Sequence, residues 1–204
     1  MLDQIIPFLT ASIVLTLSPG PDIIYVLVRS IAYGSKQGII TALGLVSGIL
    51  IHTSLVAFGV SVIIQQSGSI FLIIKILGAS YLLYLAYQVY KSNPKIVFSS
   101  EKVGDRSLVQ LYKQGFIMNV LNPKVGIFFL AFFPGFLWDP EANTILQFYI
   151  LGFLFMFQAL IIFSLVAILA HKISAYIKSN QNAGIWLKWM QVCVFVLIAI
   201  LILL

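Results

Sequence analysis

Six long apolar stretches, at 5–29, 38–64, 68–91, 113–137, 144–171 and 184–204, leave few folds open to this chain. A helix needs about 20 predominantly apolar residues to cross the hydrocarbon core of a bilayer. Each stretch meets that length. Strands of a membrane barrel would be about ten residues long with alternating polarity, whereas these runs are continuous. A soluble fold fails on charge. Only 9% of the 204 residues are charged and 61% are hydrophobic, against about 25% charged in soluble domains. The chain is therefore expected to be an all-α integral membrane protein with six transmembrane helices. The first stretch is expected to be a span and not a cleavable signal. Asp3 is the only charged residue before it, and it is longer than the apolar region of a signal.

Basic residues fall beside alternate connections. Arg29 and Lys36 flank the first. Lys91, Lys95, Lys102, Arg106 and Lys113 flank the third, and Lys172 and Lys178 the fifth. The N-terminus, the turns at 65–69 and 138–143 and the C-terminus carry none, although the turn at 138–143 holds Asp139 and Glu141. By the positive-inside rule both termini face outward and the three basic connections face the cytoplasm. The net charge of +6 is then a matter of topology, so the expected surroundings are a lipid bilayer and not nucleic acid. The single cysteine, Cys193, excludes an intrachain disulfide framework and a cysteine metal cluster.

The segment 92–112 is polar, with Asn93, Pro94, Ser99, Ser100 and Gly104, and reads as a cytoplasmic linker. It divides the chain into 1–91 and 113–204, three helices each. An odd number per half places the second half upside down relative to the first, the layout of two inverted repeats. The first helix of each half is interrupted at a matching place. Helix one carries Ser18-Pro19-Gly20-Pro21-Asp22, and helix four carries Asn122-Pro123-Lys124 after Asn119. Proline removes a helical hydrogen bond and clashes with the preceding turn. In lipid, the freed backbone groups need partners in protein or in a water-filled cavity. Paired breaks in corresponding helices therefore point to a binding site.

Each break reads as a helix restart. Ser18 or Gly20 would cap the first and Asn122 the second, with a proline in the first turn of each. The two N-termini would face each other inside the membrane, offering free N–H groups and the positive ends of two helix dipoles. Lys124 adds a positive charge and Asp22 a negative one. Such a pocket suits a zwitterion, with its carboxylate at the N–H groups and Lys124 and its ammonium at Asp22. A carboxylate that binds a proton and a substrate ammonium in turn would also couple the two fluxes, and intramembrane acids commonly mark such pathways. His52, near the middle of helix two, is a further candidate for substrate or proton binding. Gln158 and Gln88 are read as interhelical hydrogen bonds. Gly44 and Gly48 form a G-x-x-x-G step suited to close helix contact within the chain. Tyr87 and Tyr90 suit an interfacial belt, and Lys75 and Lys188 lie near enough to helix ends to snorkel.

Other chemistries find less support. Ser47, between Gly44 and Gly48, lacks the spacing of a nucleophile elbow. His171 has no evident partner, so an enzyme is not expected. A thiol–disulfide carrier needs two cysteines. A soft-metal exporter needs more imidazole or thiolate ligands than one mid-membrane His and one Asp supply. No cofactor is expected. The remaining alternative is an exporter of another small solute or of a metal cation.

The pentapeptide at 18–22 resembles the T/S-P-G-P-N/D step of the LysE/RhtB family of amino-acid exporters. The likeness continues through Arg29-Ser30, Gly34 to Gly38, Ala42-Leu43-Gly44, Gly48, His52 and Gly59, then Lys75 and the run Gly78 to Leu85. In the second half it covers Gly115-Phe116, the run Asn119 to Lys124, Phe128-Phe129 and Phe133-Pro134. About two-thirds of the chain is in register. The resemblance implies export of small amino acids of the threonine, homoserine or leucine type across the bacterial cytoplasmic membrane, driven by proton antiport. It further implies substrate contacts at the two breaks and is compatible with a homodimer. Two positions depart from the family pattern: Gly135 stands where glutamine is usual, and helix six is poor in glycine after Gly184.

Overall fold

The computed structural model describes residues 2–18, 20–60, 68–94, 106–139, 142–180 and 182–203. Every regular element among them is helical. We label the α-helices α1 (Leu2–Leu17), α2 (Pro21–Tyr33), α3 (Ser35–Leu55), α4 (Gly68–Lys91), α5 (Leu108–Val120), α6 (Pro123–Phe132), α7 (Thr144–Ile168), α8 (Ala170–Ser179) and α9 (Ala183–Leu203). A π-helical turn, Val56–Val60, extends α3, and a 3-10 turn, Phe133–Phe136, extends α6. Four of these helical units are long and apolar enough to cross a membrane: Ser35–Val60, Leu72–Lys91, Thr144–Ile168 and Ala183–Leu203. The pairs α1–α2 and α5–α6 are bent by 56° and 51° at the two proline breaks, and counting each pair as one span brings the total to six.

α3 is the central helix. The share of its span that is buried is 56%, against 22% for α4. Glycine makes this possible. A Cβ on Gly44 would run into the carbonyl oxygen of Tyr112, and one on Gly115 into that of Thr41. The backbones of α3 and α5 are thus in direct contact, so the G-x-x-x-G step serves packing within the chain as expected. Lipid is as apolar as a leucine side chain, so close van der Waals packing of this kind drives helix association in membranes. A second cluster is aromatic. Phe129 stacks on Phe133 with centroids 3.9 Å apart, and Phe8 meets Phe133 edge-on at 5.0 Å. This ties α1 to the far end of α6. The outer faces of α4, α7 and α9 expose large apolar side chains such as Leu77, Phe157 and Leu197, as a lipid-facing surface requires.

The turn between α2 and α3 is a single residue, Gly34, at φ 88°. With ψ at 162° this backbone conformation is open essentially to glycine alone, and its N–H donates to the Ser30 carbonyl at 3.0 Å. Arg29, expected beside a cytoplasmic loop, instead sits on α2 and is fully buried. Its guanidinium lies 5.7 Å from the Tyr25 ring and 5.3 Å from the Tyr33 ring, and Nε donates to the Tyr25 hydroxyl at 3.3 Å. The two tyrosines, one turn to either side, replace water around the cation.

Two boundaries also differ from expectation. α5 begins at Leu108 and not at 113, because Ser107 and Gln110 form a capping box: Ser107 Oγ accepts from Gln110 N, and Gln110 Oε1 from Ser107 N. α8 forms where a loop was expected. It buries Ala170 and Ser174, with Ile173 and Ile177 half-buried beside them, a stripe at helical spacing. Gln88, expected to bond between helices, donates to the Tyr84 hydroxyl of its own helix. Lys188 reaches the Ser92 carbonyl at the end of α4, at 2.9 Å, and packs over Tyr90. The remainder of the connection at 65–69, most of the linker at 92–112 and the middle of the turn at 138–143 lie outside the described residues.

Candidate functional site

Both breaks restart as helices in the expected way. Gly20 is the N-cap of α2 and Pro21 its first residue. Asn122 is the N-cap of α6, Pro123 its first residue, and Asn122 Oδ1 accepts from the Lys124 backbone N–H at 3.1 Å. Proline suits this position because it has no N–H to leave unpaired. Pro19 lies outside the described residues.

The two restarts touch. Asn122 Nδ2 donates to both oxygens of Asp22, at 3.1 and 3.2 Å, although the residues are 100 positions apart in sequence. One amide therefore caps α6 with its oxygen and holds the α2 carboxylate with its nitrogen. Lys124 stands close enough to Asp22 for the two charges to attract. Its ammonium packs 4.9 Å from the Phe195 ring of α9. It is also 3.4 Å from where a Cβ on Gly20 would be. Glycine at that position lets the lysine of the second break reach the first.

A cavity of about 50 Å³ lies between the breaks. Thr16, Ser18, Asp22, Asn119, Asn122 and Lys124 form its polar wall. Leu15, Ile49, Val125, Phe155 and Phe163 form the apolar one. Gly20, Pro21, Ile23 and Ala159 complete the lining. The buried oxygens Ser18 Oγ, Asn119 Oδ1 and Gln158 Oε1 have no hydrogen-bond partner among the described residues. Buried polar atoms are normally paired; of these three, Ser18 and Asn119 line the cavity and Gln158 does not. Gly48 of α3 makes room for Asn119, whose Oδ1 is 2.8 Å from where a Cβ would stand.

His52 is brought to the second break but not to the cavity wall. Its Nε2 bonds to the Asn119 carbonyl oxygen at 3.0 Å, the same oxygen that accepts from the Asn122 backbone N–H at 2.9 Å. It braces the end of α5 from α3. Pro123 likewise does not line the cavity. The apolar wall from α7 was missed by sequence reasoning, because Phe155 and Phe163 look like any other residues of an apolar span. Gln158 does form the expected interhelical bond, from Nε2 to Thr16 Oγ1 at 2.9 Å. Among the described residues no three His, Cys, Asp or Glu side chains come together. A side chain on Gly135 would meet nothing within 4 Å, so the departure from glutamine there leaves open space.

These features define a class: a helical membrane protein with a polar cavity where two broken helices meet. The chain belongs to the LysE type translocator family, which it matches over residues 13–204. It is similar to proteins named homoserine/homoserine lactone efflux protein in Salmonella typhimurium and in Salmonella typhi. Each is 32% identical over 175 residues, covering 86% of this chain and 84% of the relative. It is also similar to a protein of Vibrio cholerae named only as an uncharacterized membrane protein, at 29% identity over 173 residues, covering 84% of this chain and 83% of the relative. No solved structure matches it at a significant level.

Proposed function

We propose that this protein exports a small amino acid across the bacterial cytoplasmic membrane, and that the cavity between the breaks is where the amino acid binds. The reading rests on one observation above all. Asn122 caps the helix N-terminus that carries Lys124 and donates to the Asp22 carboxylate at the N-terminus of α2, so one amide joins the helix starts that carry a base and an acid. Helix N-termini bind carboxylates. Lys124 reinforces that end of the cavity, while Asp22 and the unpartnered Asn119 Oδ1 offer acceptors for an ammonium. The family membership and the printed names of the Salmonella relatives favour amino-acid-type efflux, and homoserine is the first substrate to test.

The finer parts of the proposal follow from the same residues. Each bent helix pair is one span, giving six spans in two inverted halves, 1–91 and 113–204, with both termini outside. Asp22 exchanges a proton for the substrate ammonium, which makes the exporter a proton antiporter. The second half of each broken helix, α2 or α6, is the element that moves between inward-open and outward-open states.

The test is efflux from cells loaded with amino-acid-containing dipeptides, each released amino acid being followed by mass. We expect faster release of homoserine or a close relative with the intact protein, and loss of that release with Asp22→Asn and with Lys124→Ala. No acceleration for any amino acid, with all three proteins present in the membrane, would refute the proposal.

A further inference from the structure

The fold leaves one face of α5 uncovered. The opposite face lies against α3, where Gly115 meets the Thr41 carbonyl and Gly44 the Tyr112 carbonyl. At the second break the chain bends by 51°, which turns α5 out of line with α6. α6 packs on α4, with Gly78 against Ala131, whereas α5 makes no comparable packing with α4 among the described residues. The uncovered face carries Gln110, Lys113, Gln114 and Ile117 at helical spacing. Arg106 stands just ahead of the Ser107 cap, and Leu121 ends the helix. Arg106, Gln110, Lys113, Gln114 and Ile117 line one open cleft of about 500 Å³. Both cations are exposed and stand toward one end of this face. Toward the other end the face is apolar, with Ile117 53% and Leu121 74% exposed. The acids among the described residues lie elsewhere: Asp3 and Asp22 in the first turns of α1 and α2, and Asp139 beyond the outer end of α6.

We propose that this face binds an anionic phospholipid, with its phosphate between Arg106 and Lys113 and an acyl chain along Ile117 and Leu121. Nothing in this depends on which solute is transported. The planar fork of an arginine matches the oxygens of a phosphate, and a lysine adds a compact positive charge. Gln110 uses its amide oxygen in the capping box, so its amide nitrogen is the atom that remains to donate. From Lys113 to Leu121 the helix rises about 12 Å. The change from charged to apolar along that rise is the change a lipid makes from headgroup to chain. A soluble anion would engage the two cations and leave Ile117 and Leu121 uncovered. A lipid of no net charge would cover the apolar end and bring its own cation to Arg106 and Lys113. An anionic phospholipid matches both ends.

The test follows thermal unfolding of the purified full chain in an uncharged detergent while one additive is titrated. The additives are phosphatidylglycerol, phosphatidylcholine with the same acyl chains, and inorganic phosphate. A ligand of the folded state raises Tm with concentration, which gives its apparent affinity. We expect phosphatidylglycerol to bind at least about tenfold more tightly than phosphatidylcholine, and inorganic phosphate to leave Tm unchanged. One basic residue near an anionic lipid surface strengthens association about fivefold. Arg106→Gln combined with Lys113→Gln should therefore weaken phosphatidylglycerol binding by about thirtyfold, with Tm unaltered in the absence of lipid. Lys36→Gln combined with Lys172→Gln removes two other exposed cations and should stay within about threefold of the intact protein. The proposal is overturned if the two double variants weaken binding equally, since the attraction is then diffuse. It is also overturned if inorganic phosphate stabilises the protein as well as the lipid does. A lower Tm without lipid, with lipid affinity retained in the Arg106 and Lys113 variant, would mean that the pair serves the chain itself and would overturn it as well. Should that variant not fold, the order of the three additives on the intact protein decides.

Discussion

Asn122 holds the two breaks together, and replacing it with alanine separates its two jobs. The first job is capping α6, through Oδ1 and the Lys124 N–H at 3.1 Å. Losing an asparagine cap costs about 1 kcal/mol. The second is the bond from Nδ2 to the Asp22 carboxylate, which is shared between its two oxygens and counts as one. A hydrogen bond to a charged group contributes about 1.5–3 kcal/mol. Asn122→Ala should therefore destabilise the protein by about 2.5–4 kcal/mol, a large share of the roughly 5–15 kcal/mol that holds a typical protein folded. The assay is unfolding in detergent for the intact protein, Asn122→Ala, Asp22→Ala and the double variant. Without the carboxylate only the cap remains to be lost, so Asn122→Ala in the Asp22→Ala background should cost about 1 kcal/mol. The difference, about 1.5–3 kcal/mol, is the coupling across the breaks. Asn122→Ser, which can still cap but is too short to reach Asp22, should lose the coupling and keep the cap. If Asn122→Ala costs the same in both backgrounds to within about 0.5 kcal/mol, the two sites are independent. The contact between α2 and α6 would then contribute nothing.

Two further outcomes follow from packing and from the placement of His52. Gly44→Ala puts a Cβ against the Tyr112 carbonyl and should cost about 1–3 kcal/mol in detergent unfolding. Gly59→Ala, with nothing within 4 Å of its Cβ, should stay within about 0.5 kcal/mol. His52→Leu removes the bond to the Asn119 carbonyl, but that oxygen keeps its bond from the Asn122 N–H. The loss should be about 0.5–1.5 kcal/mol of stability with little change in affinity for a bound amino acid. A large fall in affinity at unchanged stability would put His52 in the site.

Much of the architecture was legible before any tertiary contact was known. Continuous apolar runs force helices in lipid, since a backbone there must satisfy its own hydrogen bonds. The prolines at 21 and 123 force restarts, because a ring nitrogen has no hydrogen to donate. Asn122 reads as a cap from its side chain and from the proline after it. The early start of α5 was legible too, in Ser107 and Gln110, as was α8 in the stripe 170, 173, 174 and 177. Both signals lie at the edges of the apolar runs, which dominate a reading by hydropathy.

What the chain determined by itself is local: which segments are helical, where they break, and which residues cap the pieces. These outcomes depend on atoms within about four positions of one another, the reach of a helical hydrogen bond. The tertiary structure alone decided which polar groups meet. Asn122 could have faced any neighbour, and it faces Asp22. His52 sits mid-helix in an apolar run, where a cavity residue and a brace look alike, and packing against α5 makes it a brace. Gln88 and Gln158 are the same residue in similar helices, yet one bonds to Tyr84 a turn away and the other crosses to Thr16 on α1. Arg29 counts as a surface charge in sequence and is among the largest fully buried side chains of the described residues. For His52 the outcome depends on how close two helices approach, and that distance is set by glycines facing carbonyls on α3 and α5. Such a match between two surfaces is not written in either segment alone.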